Sequence, residues 1–238
     1  MQWRDESIVL SVRTFSEDSR IVTVFNKSVG KCSGLVRGVK SFIQPGDISD
    51  VVWHGRTINQ LGTFAIENVF SPFCHVFNDA PKIFAIDSAC TLCANGLPDR
   101  APHVKLFESL KTFLLSVSQE NWIASYIFFE LCMLSEVGYG LNLTKCAVSG
   151  EQDGLCYVSP KTGRAVTKEI GDLYKNRLFH LPDFLVSGER NPTINDALCA
   201  MKITGHFLSM YFSGINKKNL PNSREYILAE SELLSGVA

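Results

Sequence analysis

A chain of 238 residues with 45% hydrophobic content can bury a core without disulfide or metal staples, as one domain or as two modest ones. A charged fraction of 20% and a formal net charge of -1 exclude wholesale disorder and a polycation that meets phosphate on every face, so any nucleic-acid surface is a local patch. The eight cysteines lack the dense spacing of a secreted disulfide scaffold, no leader pattern opens the chain, and the apolar run from Trp122 to Leu134 is broken by Ser125, Glu130 and Cys132, so a cytoplasmic protein without a membrane span is expected.

Between Ser7 and Asn68 the apolar residues come in short β-branched and aromatic bursts: Ile8-Val9-Leu10, Ile21-Val22-Thr23-Val24-Phe25, Leu35-Val36, Val51-Val52-Trp53 and Phe64-Ala65-Ile66. Turn-forming groups separate them, among them Ser16-Glu17-Asp18-Ser19, Asn26 to Gly30 and Gln44-Pro45-Gly46-Asp47. Five short strands in about 70 residues suit a closed barrel of the OB type, which removes most exposed edges at this size. Glycines at 30, 34 and 38 predict bulges or tight bends in such a barrel.

After Pro72 the period changes. Pro81 to Asn95, His103 to Ser118 and Trp122 to Val137 read as helices, with Leu106, Leu110, Phe113 and Leu114 on one face of the second and Asn121 placed to cap the third. Lys145 to Asp172, rich in Ser-Gly, Asp-Gly and Pro-Lys-Thr-Gly turns, fits neither period and reads as a compact loop or two-hairpin insert. Thr193 to Phe212 and Ser223 to Leu234 close the chain as a helical pair. The expected fold is therefore α+β and multidomain: a five-stranded OB barrel over 1–78, then an α-helical domain over 79–238 that carries the insert at 145–172.

Three stretches resemble the RecO family of bacterial recombination mediators, in that family's order. They are Ser7 to Arg13 with Ser19 to Phe25; Gly30 to Lys40 with Gln44-Pro45-Gly46-Asp47; and Phe129-Glu130-Leu131, Leu134 to Leu143 and Lys145 to Gly150. The resemblance implies an OB fold followed by a helical domain and a non-enzymatic role in DNA repair and recombination. It also implies binding of single- and double-stranded DNA, strand annealing, partnership with RecR and with the tail of single-strand binding protein, and an indirect link to the recombinase RecA.

Before Pro45 the chain carries Arg4, Arg13, Arg20, Lys27, Lys31, Arg37 and Lys40 against Asp5, Glu6, Glu17 and Asp18, so the first three strands lean basic. Arginine forks and mobile lysine ammonium groups meet phosphate oxygens without reading sequence. Arg13, Arg20, Lys27, Lys31, Arg37 and Lys40 are the predicted DNA-binding set. Lys31 after Gly30, and Arg37 and Lys40 around Gly38, stand where glycine would admit a ligand close to the backbone. Trp3, Phe15, Phe25, Phe42 and Trp53 offer stacking surfaces, with Phe15 and Phe42, in loops, the better platforms and the others expected in the core. A protein-interaction adaptor that touches DNA only through partners is the competing reading, which the near-neutral net charge keeps open.

The resemblance also implies a zinc site in the insert, made by two Cys-x-x-Cys pairs in many relatives. Here Cys146-Ala147-Val148-Ser149 keeps one thiol and Arg164 to Ile170 has none, so the zinc ligands are largely lost and no metal or other cofactor is expected. Cys90-Thr91-Leu92-Cys93 has redox spacing but lies late in an apolar helix, Cys74-His75 lacks an orienting third group, and no phosphate loop follows Gly30-Lys31. No catalytic centre is expected.

Overall fold

A computed structural model of the chain describes residues 1–38, 42–57, 60–216 and 219–235. They fall into two compact units, Met1–Ser118 and Gln119–Ala238.

The first unit holds five strands, β1 (Gln2–Ser16), β2 (Ser19–Asn26), β3 (Gly30–Arg37), β4 (Ile48–His54) and β5 (Thr63–Phe70), closed in the order β1-β2-β3-β5-β4. That cyclic order, with β3 and β5 parallel, is the OB arrangement. β1 serves two neighbours: Gln2 to Ile8 pair with β4, and Ser7 to Ser16 pair with β2. A bulge between Val9 and Ser11 shifts the side-chain alternation by one residue, which is why Ile8, Val9 and Leu10 are all buried in succession. Val9, Val22, Val24, Val51, Trp53 and Phe64 fill the barrel. Ile8 is paired with Phe25, whose ring meets Phe107 edge-on at 5.6 Å.

The glycines of β3 do not mark bulges. β2 and β3 keep an unbroken register from Ser19/Arg37 to Asn26/Gly30, and the irregularities fall in β1 and at Ile48/Ser49 instead. Gly34 is needed for another reason: a Cβ there would stand 2.6 Å from the Phe64 ring, so the missing side chain makes room for an aromatic inside a narrow barrel.

Three helices complete this unit: α1 (Phe73–Val76), α2 (Ala80–Gly96) and α3 (Val104–Ser116). The expected face of α3 is realised, with Leu106, Leu110, Phe113 and Leu114 fully buried. Asp79 caps α2 by accepting from the Lys82 amide. Gly46, at φ +91, lets the Gln44–Asp47 turn lie against Ile86, Pro72 and Leu114, and Asp47 accepts the Gln44 amide at 3.0 Å. The Gln-Pro-Gly-Asp element therefore fastens the barrel to its helices.

The second unit contains α4 (Trp122–Glu136), β6 (Leu155–Val158), β7 (Ala165–Thr167), α5 (Lys168–Gly171), a 3-10 turn over Asp172–Arg177, β8 (Phe179–His180), α6 (Phe184–Ser187), α7 (Ile194–Asn216) and α8 (Asn222–Ser235). Asn121 precedes α4 but its side chain makes no capping bond, because its backbone (φ -89, ψ 19) lies outside the extended region a capping residue adopts. The insert is one hairpin, not two: β6 pairs with β7 and, on its other side, with β8, giving the order β7-β6-β8. The third strand lies beyond the expected insert, where two residues are too few for a periodic signal.

One buried ionic knot ties α4, α7 and α8. Arg224 donates to both Glu130 oxygens at 2.6 and 3.0 Å and to the Met201 carbonyl at 2.6 Å, and Thr204 also donates to Glu130. Gly205 leaves room for it, since a Cβ there would meet the Arg224 guanidinium at 2.6 Å. Among the described residues no helix is long and apolar enough to cross a membrane.

Candidate nucleic-acid interface

The barrel presents β1, β2 and β3 side by side, and directly paired residues share a face of the sheet. On the outer face Ser11 pairs with Thr23 and Thr23 with Ser33, the last two hydroxyls 2.9 Å apart. The next outward rung is Arg13, Ile21 and Leu35, and beyond it Ser19 faces Arg37. On the other side of the hydroxyl rung stands Lys31, opposite Phe25. Lys31, three hydroxyls, Arg13 and Arg37 thus follow one another along about 20 Å of extended strand. Arg13, Lys31 and the hydroxyls line a groove of about 430 Å³, with Thr91 and Asn95 of α2 on its opposite wall. OB folds bind oligonucleotides on this part of the barrel.

The six predicted cations do not behave alike. Arg13 and Arg37 are exposed on this face and enter none of the ion pairs found among the described residues. Arg20 pairs with Thr14 and Val36 in the alternate, core-facing series and is half-buried at the end of the barrel. Lys27 lies beyond the other end, bound to Glu108 at 2.6 Å, and that hydrogen bond raises its pKa. Lys31 is only 13% exposed: its ammonium donates to the Ala94 carbonyl at 2.8 Å and sits 3.2 Å from Asp99. There it caps the carbonyl end of α2, where the helix dipole favours a cation. Lys40 lies outside the described residues.

Gly30 does admit a close approach, but the visitor is the chain itself. Lys31 pairs with Asp99, the Arg100 amide donates to the Lys31 carbonyl at 2.8 Å, and a Cβ on Gly30 would fall 2.2 Å from the Ala101 oxygen. Residues 99–101 therefore lie along the part of β3 that β5, paired only at Leu35/Thr63, leaves open. Arg100, which sequence reasoning passed over, places its guanidinium 5.9 Å from the centre of the Trp53 ring. At Gly38, by contrast, an added Cβ would meet nothing within 4 Å, and the Gly38 amide donates to the Asp18 carbonyl at 2.9 Å.

Among the aromatics, Trp53 and Phe25 are buried, and Trp3 stacks on Trp53 at 6.2 Å. Phe15 lies not in a loop but within β1, one residue before its end, and it and Phe42 are 63% and 79% exposed.

The insert does not suit zinc. Cys146 is buried with its sulfur 3.7 Å from the Thr167 hydroxyl, Ser149 donates instead to Glu151, and no group of three or more His, Cys, Asp or Glu able to hold a metal occurs among the described residues. Leu155, Val158 and Val166 are buried in its place, and Tyr157 donates to Asp172 at 2.6 Å. Cys90 and Cys93 are buried within α2, and burial pushes the Cys90 thiol well above its ordinary pKa, the opposite of a redox nucleophile.

Two family descriptions divide the chain between them: Recombination protein O N terminal over residues 1–75 and Recombination protein O C terminal over residues 78–221. The chain belongs to the recombination protein O family. Relatives named DNA repair protein RecO include that of Caulobacter vibrioides strain NA1000 / CB15N, 35% identical over 234 residues that cover 96% of each chain. The Rhodospirillum centenum relative is 34% identical over 94% of this chain and 92% of its own, and that of Beijerinckia indica 35% identical over 97% and 95%. The family's N-terminal match thus coincides with the barrel, and its C-terminal match takes in every helix from α2 to α7.

Proposed function

We propose that this protein is a DNA repair and recombination mediator that holds single-stranded DNA on the outer face of β1, β2 and β3. The observation that carries this reading is the alignment of Arg13 and Arg37, both free of ion pairs among the described residues, with the hydroxyl rung of Ser11, Thr23 and Ser33 along one outer face of the sheet, where Arg13 and the rung line the groove. The hydroxyls of Ser11 and Ser33 face phosphate oxygens while the buried Thr23 is bonded to Ser33, the arginines neutralise the phosphates, and Phe15 offers a base a ring at the end of the track. Contacts of this kind go to the backbone and not to base edges, which suits an agent that works at any locus. Double-stranded DNA meets the same cations through its backbones.

Family membership supports the rest. The protein anneals complementary strands and acts with RecR, with the tail of single-strand binding protein and, through them, with RecA. It does so without a catalytic centre or cofactor, in the cytoplasm at the nucleoid.

With Lys27 and Lys31 held by Glu108 and Asp99, the described cations left are Arg13, Arg20 and Arg37, so about three phosphates are neutralised here. That gives a log-log salt slope near about -2.1 for single strands, a loss of about 18-fold in affinity between roughly 50 and 200 mM salt. The test is fluorescence anisotropy with a labelled oligothymidylate. Arg13→Glu with Arg37→Glu weakens binding at least about tenfold, whereas Lys27→Glu changes it little. Wild-type affinity in the double variant would favour the competing adaptor, a reading that the pairing of Lys27 and Lys31 with carboxylates keeps in contention.

A further inference from the structure

We propose that the insert of the second unit, which in the structure runs on past residue 172 through the 3-10 turn to β8, is a second binding site for single-stranded DNA, centred on Tyr174, Lys175 and Arg177 of that turn. The proposal rests on the barrel reading above for the first strand, and adds a separate place for the other.

The charge distribution sets this segment apart. From Leu155 to His180 there are five cations, Lys161, Arg164, Lys168, Lys175 and Arg177, against two acids, Glu169 and Asp172, in a chain whose net charge is -1. All five are exposed, and none enters an ion pair among the described residues. One of the two acids is already engaged, since Asp172 accepts the Tyr157 hydroxyl. The sheet fixes their spacing: Arg164 and Lys168 bracket β7, about 13 Å apart at strand rise, and Arg177 lies just before β8.

The 3-10 turn supplies what a phosphate track alone lacks. Every side chain from Asp172 to Arg177 is exposed, including Leu173 at 79% and Tyr174 at 55%, and together they line a concavity of about 400 Å³. Tyr174 leaves helical geometry (φ -127, ψ 15), which ends the regular turn, and its exposed side chain lines the same concavity as Lys175 and Arg177. The segment is anchored at its start. Gly171 lies so near the Tyr157 ring that a Cβ would come within 2.2 Å, and the Tyr157 hydroxyl bond to Asp172 holds the next residue. A base stacks on an exposed ring whatever its identity, and adjacent cations take the phosphates on either side. The net positive charge of the segment selects a polyanion, and the ring selects one whose bases are unpaired.

The experiment uses the full chain with two non-complementary oligothymidylate strands, one carrying a donor dye and one an acceptor, and separately follows annealing of complementary strands. Lys175→Glu with Arg177→Glu lowers co-occupancy energy transfer and the annealing rate by about tenfold while changing the affinity for the first strand less than about threefold; Tyr174→Ala, a change that adds no charge, lowers both by about fivefold. Circular dichroism melts of both variants match the wild type. Co-occupancy and annealing at wild-type levels in both variants overturn the proposal, as does an acidic peptide found to bind this turn while annealing is untouched by the double substitution. The two readings separate cleanly. If Arg13→Glu with Arg37→Glu keeps full affinity while the insert variants lose theirs, the barrel reading fails and the insert stands; the reverse pattern leaves the barrel and removes the insert.

Discussion

The barrel and the insert carry the same kinds of cation and use them differently. In the barrel Lys31 and Lys27 are answered by carboxylates of the packed helices and their connection, Asp99 and Glu108, and Lys31 closes the end of α2. In the insert Lys161, Arg164, Lys168, Lys175 and Arg177 meet no carboxylate among the described residues, because the sheet they decorate is only three strands wide and turns its loops to solvent. A cation beside a glycine motif is thus structural in one region, while cations in an unpatterned segment are available for a ligand. Position in the fold, more than residue type, decides which role a lysine plays.

Substitutions that remove one charge at a time break or sharpen this contrast. The largest effect is expected at the most buried cation of the second unit: Arg224→Met leaves Glu130 without its partner and costs about 3–5 kcal/mol in a urea titration. A loss under about 1 kcal/mol would mean that the Glu130 knot is solvated. Next comes Gly30→Ala, which combines a left-handed backbone (φ +86) with overlap on the Ala101 carbonyl and should cost about 2–4 kcal/mol, against about 1–2 kcal/mol for Gly38→Ala, where the space is open. Equal costs at the two glycines would show that the 99–101 segment yields to a methyl group.

Smaller effects grade the lysines themselves. Lys31→Met should lower stability by about 1.5–3 kcal/mol, as the loss of charged hydrogen bonds does, and Lys27→Met by clearly less, because its pair with Glu108 stands in solvent. Lys175→Met should stay within about 0.5 kcal/mol of the wild type and instead reduce the salt slope of second-strand binding by about 0.7, leaving that of the first strand unchanged. A thermal-melt series in which Lys175 proved costlier than Lys31 would invert the assignment.

The smallest expected signal is a pH dependence at Asp47. Burial raises its carboxyl above the ordinary 3.8, opposed by hydrogen bonds from Ser71, Gln44 and Asn68. A carboxyl whose folded pKa is raised favours the native state in its neutral form. Its contribution is therefore fully present below pH 3.8 and is lost as the pH rises through the folded value. Asp47→Asn should cancel that decline. The difference between wild-type and variant stability, followed from about pH 3 upward, would be flat if Asp47 were solvated.

Much of the fold was legible because it rests on local periodicity. β-branched bursts marked the barrel strands, and the three- and four-residue apolar spacing placed α2, α3, α4, α7 and α8 within a few residues of their ends. What escaped depends on neighbours distant in sequence. Gly34 accommodates Phe64, Gly30 accommodates Ala101, and β8 is a strand only because β6 lies beside it. The same holds for the candidate site. Composition shows that the first three strands are basic, but the partners of Lys27 and Lys31 lie in a helix and a loop that follow only after the barrel has closed, a separation no local pattern spans. The insert's five cations are visible in the sequence, but they are scattered among turn residues without a period, and only the sheet and the 3-10 turn bring out their common exposure.

The strip of chain at Asp99 to Ala101 has a consequence for how this unit is assembled. A shear-closed sheet usually completes its own ring, yet here part of the seam beside β3 is sealed by residues synthesised after α2. A nascent chain that ends before them leaves β3 with unsatisfied amide and carbonyl groups, the kind of edge that recruits strands from other molecules. Closure of the seam is therefore a late, long-range event in folding, and a fragment cut at residue 78 should be far more prone to self-association than one that runs to Ser118.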